Sequence, residues 1–181
     1  MLLPRVFKIL FMNFDYQQFL PANFHDTSKV WIYQSTRLFT ISEAFEMEEL
    51  FANFVAEWKT HGTPVKGYAN LFLGQFIIIM ADETAAGVSG CSTDSSVRLI
   101  KDLEQRYRVD MFNRQNLAFI LKNKVELLPL AHLNHAVDNG FITTATPYFN
   151  NLVTNKTELM TKCIIPAGES WLAKKFTTIT G

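Results

Sequence analysis

Cysteine is scarce in this 181-residue chain: there are two, Cys91 and Cys163. They form no CxxC pair and no zinc-ligand cluster, and two are too few for a disulfide scaffold. A reduced, cytoplasmic protein is the simplest reading. Net charge is absent as well, because 17 basic residues balance 17 acidic ones. No strong overall field draws in a polyanion, which argues against large nucleic-acid footprints and against anionic membrane surfaces. No apolar run approaches the roughly 18 residues of a membrane-spanning helix. The opening MLLPRVFKILFM is short and apolar. Lys8 interrupts it and no A-x-A-like cleavage site follows, so it does not read as a signal peptide. Residues 1–15 are expected to be a lead outside the fold, with Met12 a candidate start, and residues 16–181 a single domain.

Core-forming material is plentiful. Hydrophobic residues make up 48% of the chain and include 16 Phe and 3 Trp, which excludes disorder. Residues 30–34, Val-Trp-Ile-Tyr-Gln, are β-branched and aromatic and predict a strand. Thr40-Ile-Ser-Glu43 is a capping box, and Met47, Leu50, Phe51, Phe54, Val55 and Trp58 continue it as one helical stripe, with His61-Gly62 expected as its stop. Residues 65–73 and 76–81 predict two strands turning at Gly74-Gln75, the second apolar throughout and therefore interior. Val97, Ile100, Leu103 and Tyr107 mark a second helix beginning near Asp94, capped by Ser92 or Thr93. A hairpin of residues 117–121 and 125–128 turns at Asn123. A short helix follows to Gly140, residues 147–153 are extended, and residues 155–163 and 167–176 predict two further helices. Strand, helix, strand, strand, helix, strand is the order of an α+β, ferredoxin-like split βαβ core: an antiparallel sheet with helices on one face, here with a C-terminal helical extension.

The most site-like segment is DETAAGVSGCSTDSS at 82–96, between an apolar strand and an amphipathic helix. Glycine lets backbone approach a ligand, and the amides of a helix start favour an anion. Ser89, Gly90, Ser92 and Ser95, with Ser96, are candidates to hold phosphate or carboxylate, with Lys122 and Lys124 flanking the same edge. Asp82, Glu83 and Asp94 have the oxygen chemistry of a hard-cation site, but capping and helix-dipole roles suit Asp94 better. Cys91 beside a helix start is a candidate nucleophile or redox thiol, and the split βαβ connection would bring His61 and His25 towards it. The competing reading is a small buried packing residue. His132 and His135, three apart on a short helix, have metal-ligand spacing but no carboxylate or cysteine in register. Trp31, Trp58 and Trp171 read as packing residues.

The segments VWIYQ (30–34), EWKTHG (57–62), DETAAGVSGCSTDSS (82–96), FNNLV (149–153) and SWLAKKF (170–176) carry a likeness to a known family. Over about residues 16–176 the chain resembles a set of short soluble bacterial proteins catalogued as "ABC transporter ATPase". The resemblance implies no catalytic residue. ATP hydrolysis of that class needs a G-x-x-x-x-G-K-[ST] loop to cradle phosphates. Gly87 and Gly90 are too close together and no Lys follows Gly90, so ATPase activity is not expected. Three readings therefore stand: a small-ligand or anion site at 82–96, a thiol enzyme using Cys91 with His61 or His25, and a protein-interaction module. No cofactor or bound metal is implied.

Overall fold

A computed structural model describes residues 14–84 and 90–177; for residues 90–92 and 177 the backbone alone is described. Two antiparallel sheets stack face to face between helices. The first contains β1 (Lys29–Gln34), β4 (Lys66–Phe72) and β5 (Phe76–Asp82) in the order β1-β5-β4. The second contains β6 (Asn116–Leu121), β7 (Lys124–Pro129), β8 (Pro147–Phe149) and β9 (Ile164–Pro166) in the order β7-β6-β8-β9. A two-stranded ribbon, β2 (Lys59–Thr60) and β3 (Thr63–Pro64), sits apart.

The period-two alternation of β5 explains its unbroken apolar run. Ile77, Ile79 and Ala81 face α1 (Ile41–Glu57) and α2 (Gly90–Tyr107), where Met47, Phe51, Ile100 and Leu103 complete one core. Phe76, Ile78 and Met80 face the second sheet and pack with Ala118 and Phe149 in another. The outer face of that sheet, Leu117, Phe119 and Tyr148, is covered by α3 (Leu133–Asp138) and by Ala167 and Leu172 near the C-terminus. A strand covered on both sides has no polar face, as the sequence pattern requires.

The α+β class and the interior position of β5 are therefore as expected, and so is the capping box: Thr40 Oγ1 accepts from the Glu43 amide at 3.2 Å while Glu43 Oε2 accepts from the Thr40 amide at 2.7 Å. Four expectations need correction. The strand at 116–121 does not extend the first sheet; it pairs with β7 and β8. The C-terminal part is not simply helical. β8 and β9 pair across α4 (Lys156–Lys162), and the expected 167–176 helix is a 3-10 turn at Ala167–Glu169 followed by α5 (Ala173–Thr177).

The first helix stops at Glu57, not at His61-Gly62, because Trp58 leaves the helical path to bury its ring against Trp31 and Phe54. Gly67 faces that ring: a Cβ there would lie 2.6 Å from Trp58 Cε3. His61 and Gly62, with φ of 48° and 84°, instead make the two-residue turn between β2 and β3. Finally, α2 already includes Gly90, so Cys91, Ser92 and Thr93 lie within it rather than before a start near Asp94. Such residues cost only up to about 0.7 kcal/mol each relative to alanine in a helix, too little to stop one.

Packing reaches further towards the N-terminus than the expected lead, since Phe14 packs against the inter-sheet core and Tyr16 is buried in it. Two lysines clasp the segment that follows. Lys156 Nζ donates to the Phe24 carbonyl at 2.7 Å, and Lys66 Nζ donates to the Asn23 carbonyl at 2.6 Å.

Candidate functional site

The residues singled out at 82–96 fall into two groups. Asp82 ends β5 and Glu83 follows it, and strand register places a lysine from each neighbouring strand beside them. Lys66 is the cross-strand partner of Asp82 itself, with Nζ 2.7 Å from Oδ2. Lys29, at the start of β1, reaches Glu83 at 3.0 Å. Asp82 is buried. Its Oδ2 also accepts from the His25 amide at 3.2 Å, and its Oδ1 accepts from the Thr84 amide at 3.1 Å and the Thr84 hydroxyl at 2.8 Å. Burial alone would raise its pKa, but the bonds from Lys66, Thr84 and His25 outweigh burial and hold the carboxyl well below the ordinary carboxylate range. A carboxylate offers about four lone-pair directions, and protein donors occupy four here. The geometry is that of a clamp fixing the 23–25 segment to the sheet.

The second group lies along α2. Asp94 is exposed and Ser95 is half-buried. Ser96 is buried, and its hydroxyl donates to the Thr93 carbonyl at 2.7 Å. Gly90 is the first described residue of the helix. Ser89 lies outside the described residues, as do the side chains of Cys91 and Ser92. His61 is exposed at the ribbon turn. The ribbon neighbours the start of α2, for Lys59 and Ser95 line one groove together with Trp58 and Arg98. His25 lies at the β5 end, where its Nδ1 is 2.8 Å from the Thr27 hydroxyl. The other cysteine, Cys163, is buried, which pushes its thiol up to about 12 despite a lowering bond with Tyr16. It belongs to the core.

Lys122 and Lys124 define a different place. The β6–β7 hairpin turns through Lys122 and Asn123, with φ of 49° and 60°, so both lysines stand at its tip. Between this hairpin and α3 opens a cleft of about 820 Å³. Register pairs Phe119 with Glu126 and Leu117 with Leu128, placing these side chains on the outer face of the second sheet. Phe119, Leu128, Ala136 and Ile142 form its floor and walls. His132 and His135, on the exposed side of α3 and the turn before it, line it from across the gap, with Phe141 at the mouth, 67% exposed. His135 Nδ1 is 3.3 Å from the Asn139 side-chain amide. Among the described residues, Lys122, Lys124 and Glu126 enter no ion pair, and no group of three His, Cys, Asp or Glu is placed to hold a metal.

No family model, curated protein or solved structure matches this chain. The site must therefore be read from its own chemistry. Sequence reasoning named Lys122, Lys124, His132 and His135 but in separate contexts, and it missed Glu126, Ala131 and Phe141. The available signal was the lone charged pair Lys124 and Glu126 at alternate positions of a strand whose other face, Val125 and Leu127, is apolar.

Proposed function

We propose that this chain is a binding protein for a small, largely apolar molecule, and that the ligand occupies the cleft between the β6–β7 hairpin and α3. The observation that carries this reading is the cleft itself. Its volume of about 820 Å³ falls in the range of about 300–1,000 Å³ usual for small-molecule sites, and an apolar floor with a few polar groups at the rim is their usual lining. The reading keeps the small-ligand class expected from the sequence and relocates the site from the 82–96 loop. Asp82 and Glu83 there are already held by lysines.

The test is fluorescence titration with the neutral apolar probe N-phenylnaphthylamine. Saturable enhancement should occur with the wild-type chain and vanish in Ala131→Trp, which fills the cleft from its exposed rim. Equal enhancement in both proteins would sink the proposal.

One observation favours a second reading, thiol chemistry at Cys91. Cys91 lies at the beginning of the described part of α2, and at a helix N-terminus the dipole lowers a thiol pKa. Iodoacetamide labelling that persists well below pH 8.5 and slows in His61→Ala would support it. An ordinary free-thiol profile would remove it.

The ferredoxin-like kinship is also a proposal. Its support is the order β1-β5-β4, a split βαβ unit in which β5 lies between the two strands joined through α1.

A further inference from the structure

We infer that the ligand of the α3 cleft is an amphipathic anion: one apolar body carrying a single carboxylate-like head, seated with the head at the β6–β7 hairpin tip. This inference rests on the cleft being a ligand site and adds the chemical class and the polarity of binding. Both lysines of the cleft stand at one end of it, beside Leu121, whereas Glu126 lies further in, opposite Phe119. Phe119, Leu128, Ala136 and Ile142 line the part nearest the core, and all but Leu128 are buried. Lys122 and Lys124 stand at the opposite, hairpin end, exposed and without an acidic partner among the described residues.

The sign follows from the remaining rim groups. Among the described residues, Glu126 is the sole acid lining the cleft. It sits two residues from Lys124 along β7, further from the hairpin tip and opposite Phe119. Two lysines thus face one glutamate, and the histidines opposite, His132 and His135, are neutral or cationic but never anionic. A cationic head at the tip would meet both ammonium groups. A neutral ligand would leave them with water alone. A carboxylate would take up to two charge-assisted hydrogen bonds at a partly desolvated mouth. Phe141 adds exposed aromatic surface that an apolar body would cover. A hydrophobic tail and an anionic head therefore each find a matching end of one cleft.

The probes are dodecanoate, dodecanol and dodecyltrimethylammonium, each below its micelle concentration, titrated calorimetrically into the whole chain. Dodecanoate should bind tighter than dodecanol by about tenfold or more, the size expected of one charge-assisted hydrogen bond. The double variant Lys122→Ala/Lys124→Ala should lose that preference while still binding dodecanol. Ala131→Trp should lose all three probes. All three substituted residues are exposed, and circular dichroism checks that each variant is folded.

Dodecanol or the trimethylammonium probe binding as well as dodecanoate would overturn the anion assignment and leave the cleft as a site. The same holds for an unchanged dodecanoate preference without the lysines. Binding of no probe, or binding that survives Ala131→Trp, would overturn the cleft reading and this inference together.

Discussion

At the end of β5 two carboxylates meet two lysines, whereas on β7 Lys124 and Glu126 stand two residues apart and enter no ion pair among the described residues. The two places use the same residue types at strand ends and hairpin edges. They differ in whether the backbone register supplies an opposite charge. Lys66 lies directly across from Asp82, so the pair forms as a by-product of strand pairing, and the buried carboxylate becomes structural. Across from Lys124 and Glu126 lie Leu121 and Phe119, which offer nothing to bond. Charges left without partners beside apolar surface are available to a ligand. This contrast, rather than composition, is the basis for the proposed site, since the 82–96 loop looks the richer on paper.

The largest expected effect tests the structural half of the contrast. Asp82→Ala leaves the Lys66 ammonium and the His25 and Thr84 amides without their acceptor. Because Lys66 is itself exposed, the cost is that of losing several hydrogen bonds to a buried carboxylate at once, about 3 kcal/mol. In a chain of this size that lowers the unfolding midpoint by roughly 6–12 °C, measurable by calorimetry. The clamp also implies acid sensitivity with a definite sign. A carboxylate whose folded pKa is depressed contributes stability that is fully present above its unfolded pKa, and that contribution fades as pH falls towards the folded value. Asp82→Asn should therefore flatten the fall in stability below about pH 4, where an unfolded aspartate begins to protonate. Retention of the full wild-type acid slope would show that Asp82 is not the group responsible.

Somewhat smaller is the cost of Gly67→Ala. The added Cβ would sit 2.6 Å from the buried Trp58 ring, which is pinned between Trp31 and Phe54. Overpacking of this kind costs about 1–3 kcal/mol. An unchanged urea midpoint would mean that the ring can move, and that Trp58 is not what ends α1.

Much of this architecture was legible beforehand. The capping box, the apolar run of β5 and the Lys122-Asn123 turn are local signals, and each element formed where its pattern stood. What was not legible depended on distant partners. Nothing in residues 116–121 says which sheet they join, because β6 alternates faces equally well in either. The early end of α1 required knowing that Trp58 has Trp31 to pack against. Helix α2 includes residues 90–93, past its expected cap, because those residues are tolerable in a helix. The candidate site was legible residue by residue but not as a place, since the β6–β7 hairpin and α3 come together only through the pairing of the second sheet.

Around 1 kcal/mol is expected from Thr40→Ala, the usual cost of losing an N-cap. Its neighbour Glu43 adds a pH signature. Arg37 binds both of its carboxylate oxygens at 2.8 Å, and with the Thr40 bonds this overcomes burial and lowers the Glu43 pKa to about 2. The folded pKa is depressed, so this contribution is present above the unfolded value of about 4.3 and is lost as pH falls from there towards 2. Arg37 also donates to the Tyr107 carbonyl at 2.6 Å, tying the start of α1 to the end of α2. Arg37→Ala should therefore remove much of the acid dependence from Glu43, leaving the part due to Thr40, and part of the docking between the helices. Amide hydrogen exchange reads this as faster exchange in the last turn of α2, and protection equal to wild type there would refute the tie.

The smallest effect is the one that separates the two places most cleanly. Lys66 and Lys124 are both lysines on hairpin strands, and both begin their strand. Lys66 bonds Asp82 and the Asn23 carbonyl and lies 4.9 Å from the centre of the Phe24 ring. Removing it would leave Asp82 charged and buried, so Lys66→Ala should cost a substantial part of what Asp82→Ala costs. The double variant should cost little more than the worse single one, because the two changes remove one shared interaction. Lys122→Ala and Lys124→Ala break no described bond and should shift stability by no more than about 0.5 kcal/mol, the usual range for surface positions without partners. They could even stabilise slightly, by relieving repulsion between two like charges at one hairpin tip. A chemical-denaturation series on Lys66→Ala, Lys122→Ala and Lys124→Ala under one set of conditions measures this directly. If the hairpin-tip variants lose as much stability as Lys66→Ala, those lysines hold the fold together and are not free for a ligand. The case for an anionic head at the tip would then fail before any ligand had been tried.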